Sequence, residues 1–187
     1  MSFDAQASGV DVLVVSAHKW LMGPRGIGFA AFSDHALAQI TPRIVGWLSV
    51  NDPFGFNRTL EFLPDARRFE AGMPNATGVF GLSERLTQID ELGMDWIGTR
   101  VVDLNAMLRE EARRAGLELA YDVERERSSG IALVRKPGVE TTKVLARLNE
   151  NRIYASVRGG AIRVAPHCHN TQSEIERVVT VIASTPA

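Results

Sequence analysis

Apolar residues change their spacing several times along this chain, and each change marks an element boundary. Val12 to Val15 is an apolar run between Gly9 and Gly23, the pattern of a strand buried on both faces. Ile27 to Phe32 predicts a second, adjacent strand, and helix signals begin near His35. From Thr41 to Arg68 no period holds, and Pro42, Gly46, Pro53, Gly55 and Pro64 predict a long loop. Loops of that length in compact chains are usually functional or disordered. A helix is predicted after Asn75, a residue suited to an N-cap, with Val79, Leu82, Leu86 and Ile89 on one face and Gly93 at its end. A second opens at Asp95, carries Ile97, Val101, Leu104, Leu108 and Ala112 as its stripe, and closes at Gly116. The pair reads as a connector between subdomains.

Beyond Gly116 the elements shorten. Leu117 to Tyr121 and Ile131 to Val134 predict strands, and Thr141 to Asn151 a helix. Thr171-Gln-Ser-Glu174 is a capping box ahead of Ile175, Val178, Val179 and Ile182. The expected division is residues 1–92 as part of one α/β domain and 93–187 as a connector helix with a small α/β domain.

Between the last two helices, Gly159-Gly160 separates two apolar-rich runs and signals a two-residue hairpin. That register pairs Arg158 with Ala161, Val157 with Ile162 and Ser156 with Arg163. Strand side chains alternate. Ile153, Ala155, Val157, Ile162 and Val164 then share a core face, and Tyr154, Ser156, Arg158, Ala161 and Arg163 the other. Two guanidinium groups on one face suit an anionic partner, although solvated arginines on an open sheet give the same pattern.

Composition narrows the function classes. The 187 residues are 45% hydrophobic and 23% charged, with a formal net charge of -1, so no basic field supports nucleic-acid binding. The single cysteine, Cys168, excludes an internal disulfide and a multi-cysteine metal site. No apolar stretch has the length of a membrane span, and the N-terminus lacks the pattern of a secretory signal. A cytoplasmic protein with neither metal nor membrane partner is expected.

Lys19 ends the first predicted strand, behind Ser16 and His18 and ahead of the turn G-P-R-G-I-G. Strand ends followed by glycine turns are where α/β proteins place ligands. The turn fits neither a phosphate-binding loop nor a dinucleotide fingerprint. A lysine amine is the Schiff-base nucleophile for an aldehyde cofactor.

S-A-H-K-W-L-M-G-P-R-G-I-G-F, starting at Ser16, resembles the lysine segment of class V aminotransferase-like enzymes, a pyridoxal-phosphate family of fold type I. R-R-F-E-A-G-M-P-N-A-T-G-V-F-G-L (Arg67 to Leu82) and V-R-G-G-A-I-R-V-A-P-H-C-H-N-T (Val157 to Thr171) resemble later segments of the family in the same order. The resemblance implies the C-terminal part of such a fold: a remnant of the large-domain sheet plus a small α/β domain. It implies pyridoxal 5'-phosphate as cofactor, Lys19 as the catalytic lysine, and Ser16, His18 and Asn75 beside the cofactor. It implies that Arg163 and Arg158 bind an amino-acid substrate, and that the protein is a homo-oligomer. The family has about as much chain again ahead of the lysine strand, carrying the partners of the pyridine ring. These 187 residues alone are therefore expected to hold cofactor weakly, or to be a silent fragment acting at most as an interaction module. Met73 stands where the family often has threonine. Cys168 falls after the second arginine, beyond the place expected of a desulfurase nucleophile, so an aminotransferase or epimerase-like activity is expected over desulfuration.

Overall fold

A computed structural model describes residues 3–55, 59–121 and 127–187. The chain divides into two compact units, Phe3–Glu91 and Leu92–Ala187.

In the first unit, β1 (Val12–Ser16) and β2 (Gly28–Phe32) form an antiparallel ribbon in register from Val12↔Phe32 to Ser16↔Gly28. The expectation of burial on both faces is not met: Val14 is 75% exposed, and Val12 and Phe29 are exposed too. The apolar run has the pattern of a covered strand, but this ribbon has two strands, and nothing described in this unit covers the face of Val12 and Val14. Helix α1 (Asp34–Gln39) follows, its Ser33 cap accepting from the Ala36 N–H at 3.0 Å and donating to Asp11 Oδ1 at 2.8 Å.

The described part of the long segment after α1 is tied down through backbone contacts. It contains two single-turn 3-10 helices, Trp47–Ser49 and Ala66–Phe69, and a bridge between Val50 and Phe62. Ser49 is buried and donates to the Glu70 carbonyl at 3.3 Å. Gly46 lies so close to the Ala71 carbonyl that no side chain fits there. Arg68 donates to the carbonyls of Leu37 and Ile40 at the end of α1, and Phe69 stacks on Phe32 with ring centres 4.8 Å apart. Arg67 turns back to chelate Asp65 at 2.7 Å. The R-R-F-E stretch is thus used structurally.

The hydrogen bonds from Arg67 hold the Asp65 carboxyl down to about 2. A depressed carboxylate pKa contributes stability above the unfolded value, and that contribution disappears as pH falls through the folded value. The pair is exposed, so its net weight is small. The expected result is local: the Asp65 carboxyl resonance should titrate near about 2, and Arg67→Ala should return it to the ordinary aspartate range. An ordinary midpoint in the parent protein would refute the pairing.

Helix α2 (Ala76–Leu92) starts one residue after Asn75, as its sequence predicts: Asn75 Oδ1 accepts from the Gly78 N–H at 3.0 Å. Leu82 and Ile89 are buried, whereas Val79 and Leu86 of the same predicted stripe stay exposed.

The second unit opens with α3 (Met94–Arg114), whose predicted stripe of Ile97, Val101, Leu104, Leu108 and Ala112 is entirely buried. Strands β3 (Glu118–Leu119), β4 (Ala132–Arg135), β5 (Ser156–Arg158) and β6 (Ala161–Val164) form an antiparallel sheet in the order β3-β4-β6-β5. Helix α4 (Thr141–Glu150) precedes β5, and α5 (Gln172–Ser184) follows β6. The capping box ahead of α5 forms reciprocally, Thr171 accepting from the Glu174 N–H and Glu174 from the Thr171 N–H. Bonds from Thr171 and Asn170 lower the Glu174 pKa. One core joins α3, α4, α5 and the sheet through Leu104, Leu108, Val134, Val144, Leu148, Ile162 and Ile182. Among the described residues no helix is long and apolar enough to cross a membrane.

Candidate functional site

In the first unit the candidate residues sit on the turn that leaves β1. Ser16 is the last strand residue, and the chain then folds over itself: Lys19 N–H to Ser16 O at 3.3 Å, Met22 N–H to Lys19 O at 3.0 Å and Gly23 N–H to Ala17 O at 2.8 Å. Ala17 is fully buried and anchors the turn, while His18 and Lys19 are exposed. The Lys19 amine has no hydrogen-bond or ion-pair partner among the described residues. Met22 adopts φ 55°, a left-handed conformation that costs a non-glycine residue about 1 kcal/mol or more.

Helix α2 fixes the chain after the lysine by close approach. A side-chain carbon at Gly81 would come within 2.5 Å of Pro24, and one at Gly78 within 3.0 Å of Ile27. Arg85 donates to the Leu21 carbonyl at 2.8 Å. Asn75 engages both ends of its amide, accepting from Gly78 and donating to the Gly26 carbonyl at 3.4 Å. It therefore ties the start of α2 to the glycine turn.

In the second unit the hairpin register is the one its sequence predicts, Ser156↔Arg163, Val157↔Ile162 and Arg158↔Ala161. Gly159 and Gly160 have φ of 54° and 71°, as a turn of this type requires. Their carbonyls are held from outside: Arg135 donates to Gly160 O at 3.1 Å and to Gly159 O at 2.6 Å, and Thr141 Oγ1 to Gly160 O at 2.8 Å. Arg158, which is exposed, and Arg163, which is half-buried, both line a cavity of about 460 Å³. Ala161, on the same face, is fully buried.

Two further arginines, not singled out in the sequence, line that cavity: Arg109 from α3 and Arg127 from the turn before β4. Arg109 is only 6% exposed and donates to the Tyr121 carbonyl at 3.1 Å. Its signal was Asn105, four residues earlier and one helical turn away, which makes a polar row beside the apolar stripe. The Asn105 amide satisfies both its ends when its nitrogen donates to Ser128 Oγ at 3.3 Å and its oxygen accepts from the Ile131 and Ala132 N–H groups at 3.2 Å. Ser128 is buried, so Arg127 stands beside a fixed point.

Cys168 is a half-buried free thiol in the turn after β6, between His167 and His169, whose rings stack 5.9 Å apart. Met73 is exposed. Among the described residues no group of His, Cys, Asp and Glu is arranged to hold a metal ion.

The chain has recognisable relatives. The sequence profile of the family described as Aminotransferase class-V matches residues 1–181. An uncharacterised aminotransferase of Bacillus subtilis (strain 168), YcbU, is 26% identical over 181 residues, 97% of this chain and 47% of its own. A probable cysteine desulfurase of Xylella fastidiosa (strain Temecula1) is 26% identical over 196 residues, 94% of this chain and 44% of its own. The apo structure of a cysteine desulfurase from Thermococcus onnurineus NA1 superposes with a TM-score of 0.86 at 22% identity, over 96% of this chain and 48% of that one. The chain spans about half the length of the curated relatives it matches.

Proposed function

The chain belongs to the aminotransferase class-V family, and from that premise we propose that it carries the lysine turn and the carboxylate-binding arginines of a pyridoxal-phosphate enzyme acting on an amino acid. The observation that carries this reading is Lys19: an exposed amine with no hydrogen-bond or ion-pair partner among the described residues, on the turn after β1, which α2 clamps. An amine so placed fits an aldehyde. Pyridoxal phosphate, when bound, supplies the electron sink that makes the α-proton of an amino acid removable. Lys19 then holds and returns that proton at Nζ. Ser16 and His18, on the same strand end, act as donors to the phosphate. Asn75, with both amide ends engaged, acts by positioning the Gly26 turn. Arg163 and Arg158 take the substrate carboxylate, for which a planar guanidinium gives paired hydrogen bonds. Assembly as a homo-oligomer belongs to the same reading, supported by the exposed Val14, Phe80 and Trp96.

The reaction type is a finer proposal. The relatives' names favour cysteine as the first substrate to test. A second reading, transamination or epimerisation, is favoured by one observation: the turn between the two arginines is Gly159-Gly160, and the chain's one thiol lies beyond β6. Sulfide release from cysteine, set against formation of the oxo acid or the enantiomer, separates the two.

The cofactor test uses the chain's three lysines, Lys19, Lys136 and Lys143. Lys136 is engaged with the Ala183 and Thr185 carbonyls, and Lys143 is an exposed internal standard. Pyridoxal phosphate followed by borohydride is expected to label Lys19 well ahead of Lys143, as read by peptide mass spectrometry. Equal labelling of the two would overturn the reading in favour of a silent fragment.

A further inference from the structure

The hairpin that carries Arg158 and Arg163 holds one more large side chain on the same face. Ile153, Ala155 and Val157 pack against the core of the second unit, so the alternate positions, Tyr154, Ser156 and Arg158, point away from it. Ser156 of β5 pairs with Arg163 on one side, and Leu133 of β4 pairs with it on the other. Tyr154, two positions before Ser156, is therefore the diagonal neighbour of Arg163, about 7–8 Å away and within reach of long and aromatic side chains. Its ring is 88% exposed, and its hydroxyl has no hydrogen-bond partner among the described residues. The side chains that flank Arg163 on this face, Leu133, Ser156, Arg158 and Ala161, include no carboxylate and no amide.

We propose that Tyr154 contacts the substrate, and that the amino acid taken by this face has an aromatic side chain. The proposal rests on the amino-acid reading above and names its substrate class. With the α-carboxylate on the guanidinium of Arg163, the side chain of the bound amino acid lies between the Tyr154 ring on the β5 side and Leu133 on the β4 side. With both guanidinium groups of the hairpin engaged by the carboxylate, a charged or amide side chain would lose water there for at most one new hydrogen bond, from Ser156. A flat ring gains both buried area and an aromatic partner. Tyr154 thus determines specificity and takes no part in moving the proton.

The experiment is calorimetric titration of the full chain with L-phenylalanine, L-alanine and L-phenylalaninamide. L-Phenylalanine is expected to bind at least about tenfold more tightly than L-alanine, the order for burying a ring against an aromatic neighbour. The amide lacks the carboxylate and should bind at least about tenfold more weakly than the acid. Tyr154→Ala is expected to bring L-phenylalanine down to the level of L-alanine and to leave L-alanine unchanged. Tyr154→Phe should keep the margin, because the ring carries it and the hydroxyl does not. Tyr154 is exposed, so both variants should melt with the parent. Equal affinity for L-phenylalanine and L-alanine overturns the proposal, as does an equal loss for both ligands in Tyr154→Ala, a Tyr154→Phe variant as weak as Tyr154→Ala, an amide that matches the acid, or no binding at all. Labelling of Lys19 is read separately. A chain that labels at Lys19 but ignores the ring refutes the substrate class alone, whereas one that shows the Tyr154-dependent preference without labelling refutes the cofactor reading.

Discussion

On the proposed pyridoxal-phosphate reading, replacing Lys19 by alanine is expected to cut turnover of the preferred amino acid by at least about 10³-fold, because both the covalent tether and the proton carrier proposed for Lys19 would disappear together. Fold loss does not explain such a result. The side chain is exposed, makes no hydrogen bond or ion pair among the described residues, and the turn is held by backbone bonds that alanine leaves intact. The melting temperature should therefore be unchanged. Lys19→Arg sharpens the result: it keeps the positive charge but offers no amine for a Schiff base, so it should be as inactive as alanine. If Lys19→Arg kept most of the activity, Lys19 would be acting as a charge and the chemistry proposed for it would be wrong. Turnover is measured on the protein loaded with pyridoxal phosphate, with borohydride labelling as a parallel readout.

Leu108→Ala should destabilise the second unit by about 2–5 kcal/mol, the range for opening a cavity at a buried leucine. Leu108 is fully buried where α3 meets the sheet and α5, in the cluster with Leu104, Ala112 and Ile182. Such a loss is a large fraction of a domain's stability. A urea transition should move to lower denaturant with little change in slope. Val79→Ala on the exposed face of α2 is the control and should stay within about 0.5 kcal/mol of the parent. Equal effects of the two would mean that the α3 stripe is not the core.

The elements that could be read from sequence were those fixed by local chemistry. The Gly-Gly turn allows one register, and the strands adopt it. The capping box and the stripe of α3 likewise depend on residues within a few positions of one another. What escaped depends on the rest of the fold. A β-branched run cannot say whether a neighbour covers it, and Val14 is exposed despite a core-like sequence. The predicted strand from Leu117 to Tyr121 shortens to Glu118–Leu119, although the Ala120 N–H still donates to the Leu133 carbonyl of β4 at 2.9 Å. The arginine pair on the hairpin was visible through alternation, but Arg109 and Arg127 join it only once α3 and the turn before β4 are folded. The lysine turn was visible as a strand end, but not its clamp: Asn75, Gly78, Gly81 and Arg85 lie some fifty or more residues downstream.

The bracing of the Gly159–Gly160 carbonyls by Arg135 and Thr141 has a consequence for how this protein can change over generations. It turns the hairpin into calipers with a locked jaw, since the spacing of Arg158 and Arg163 is set by main chain that neighbouring elements hold. Arg109 and Arg127 hang from other elements, outside that lock. A lineage can exchange the residues at 109 and 127 while the spacing of the two hairpin arginines keeps its gauge.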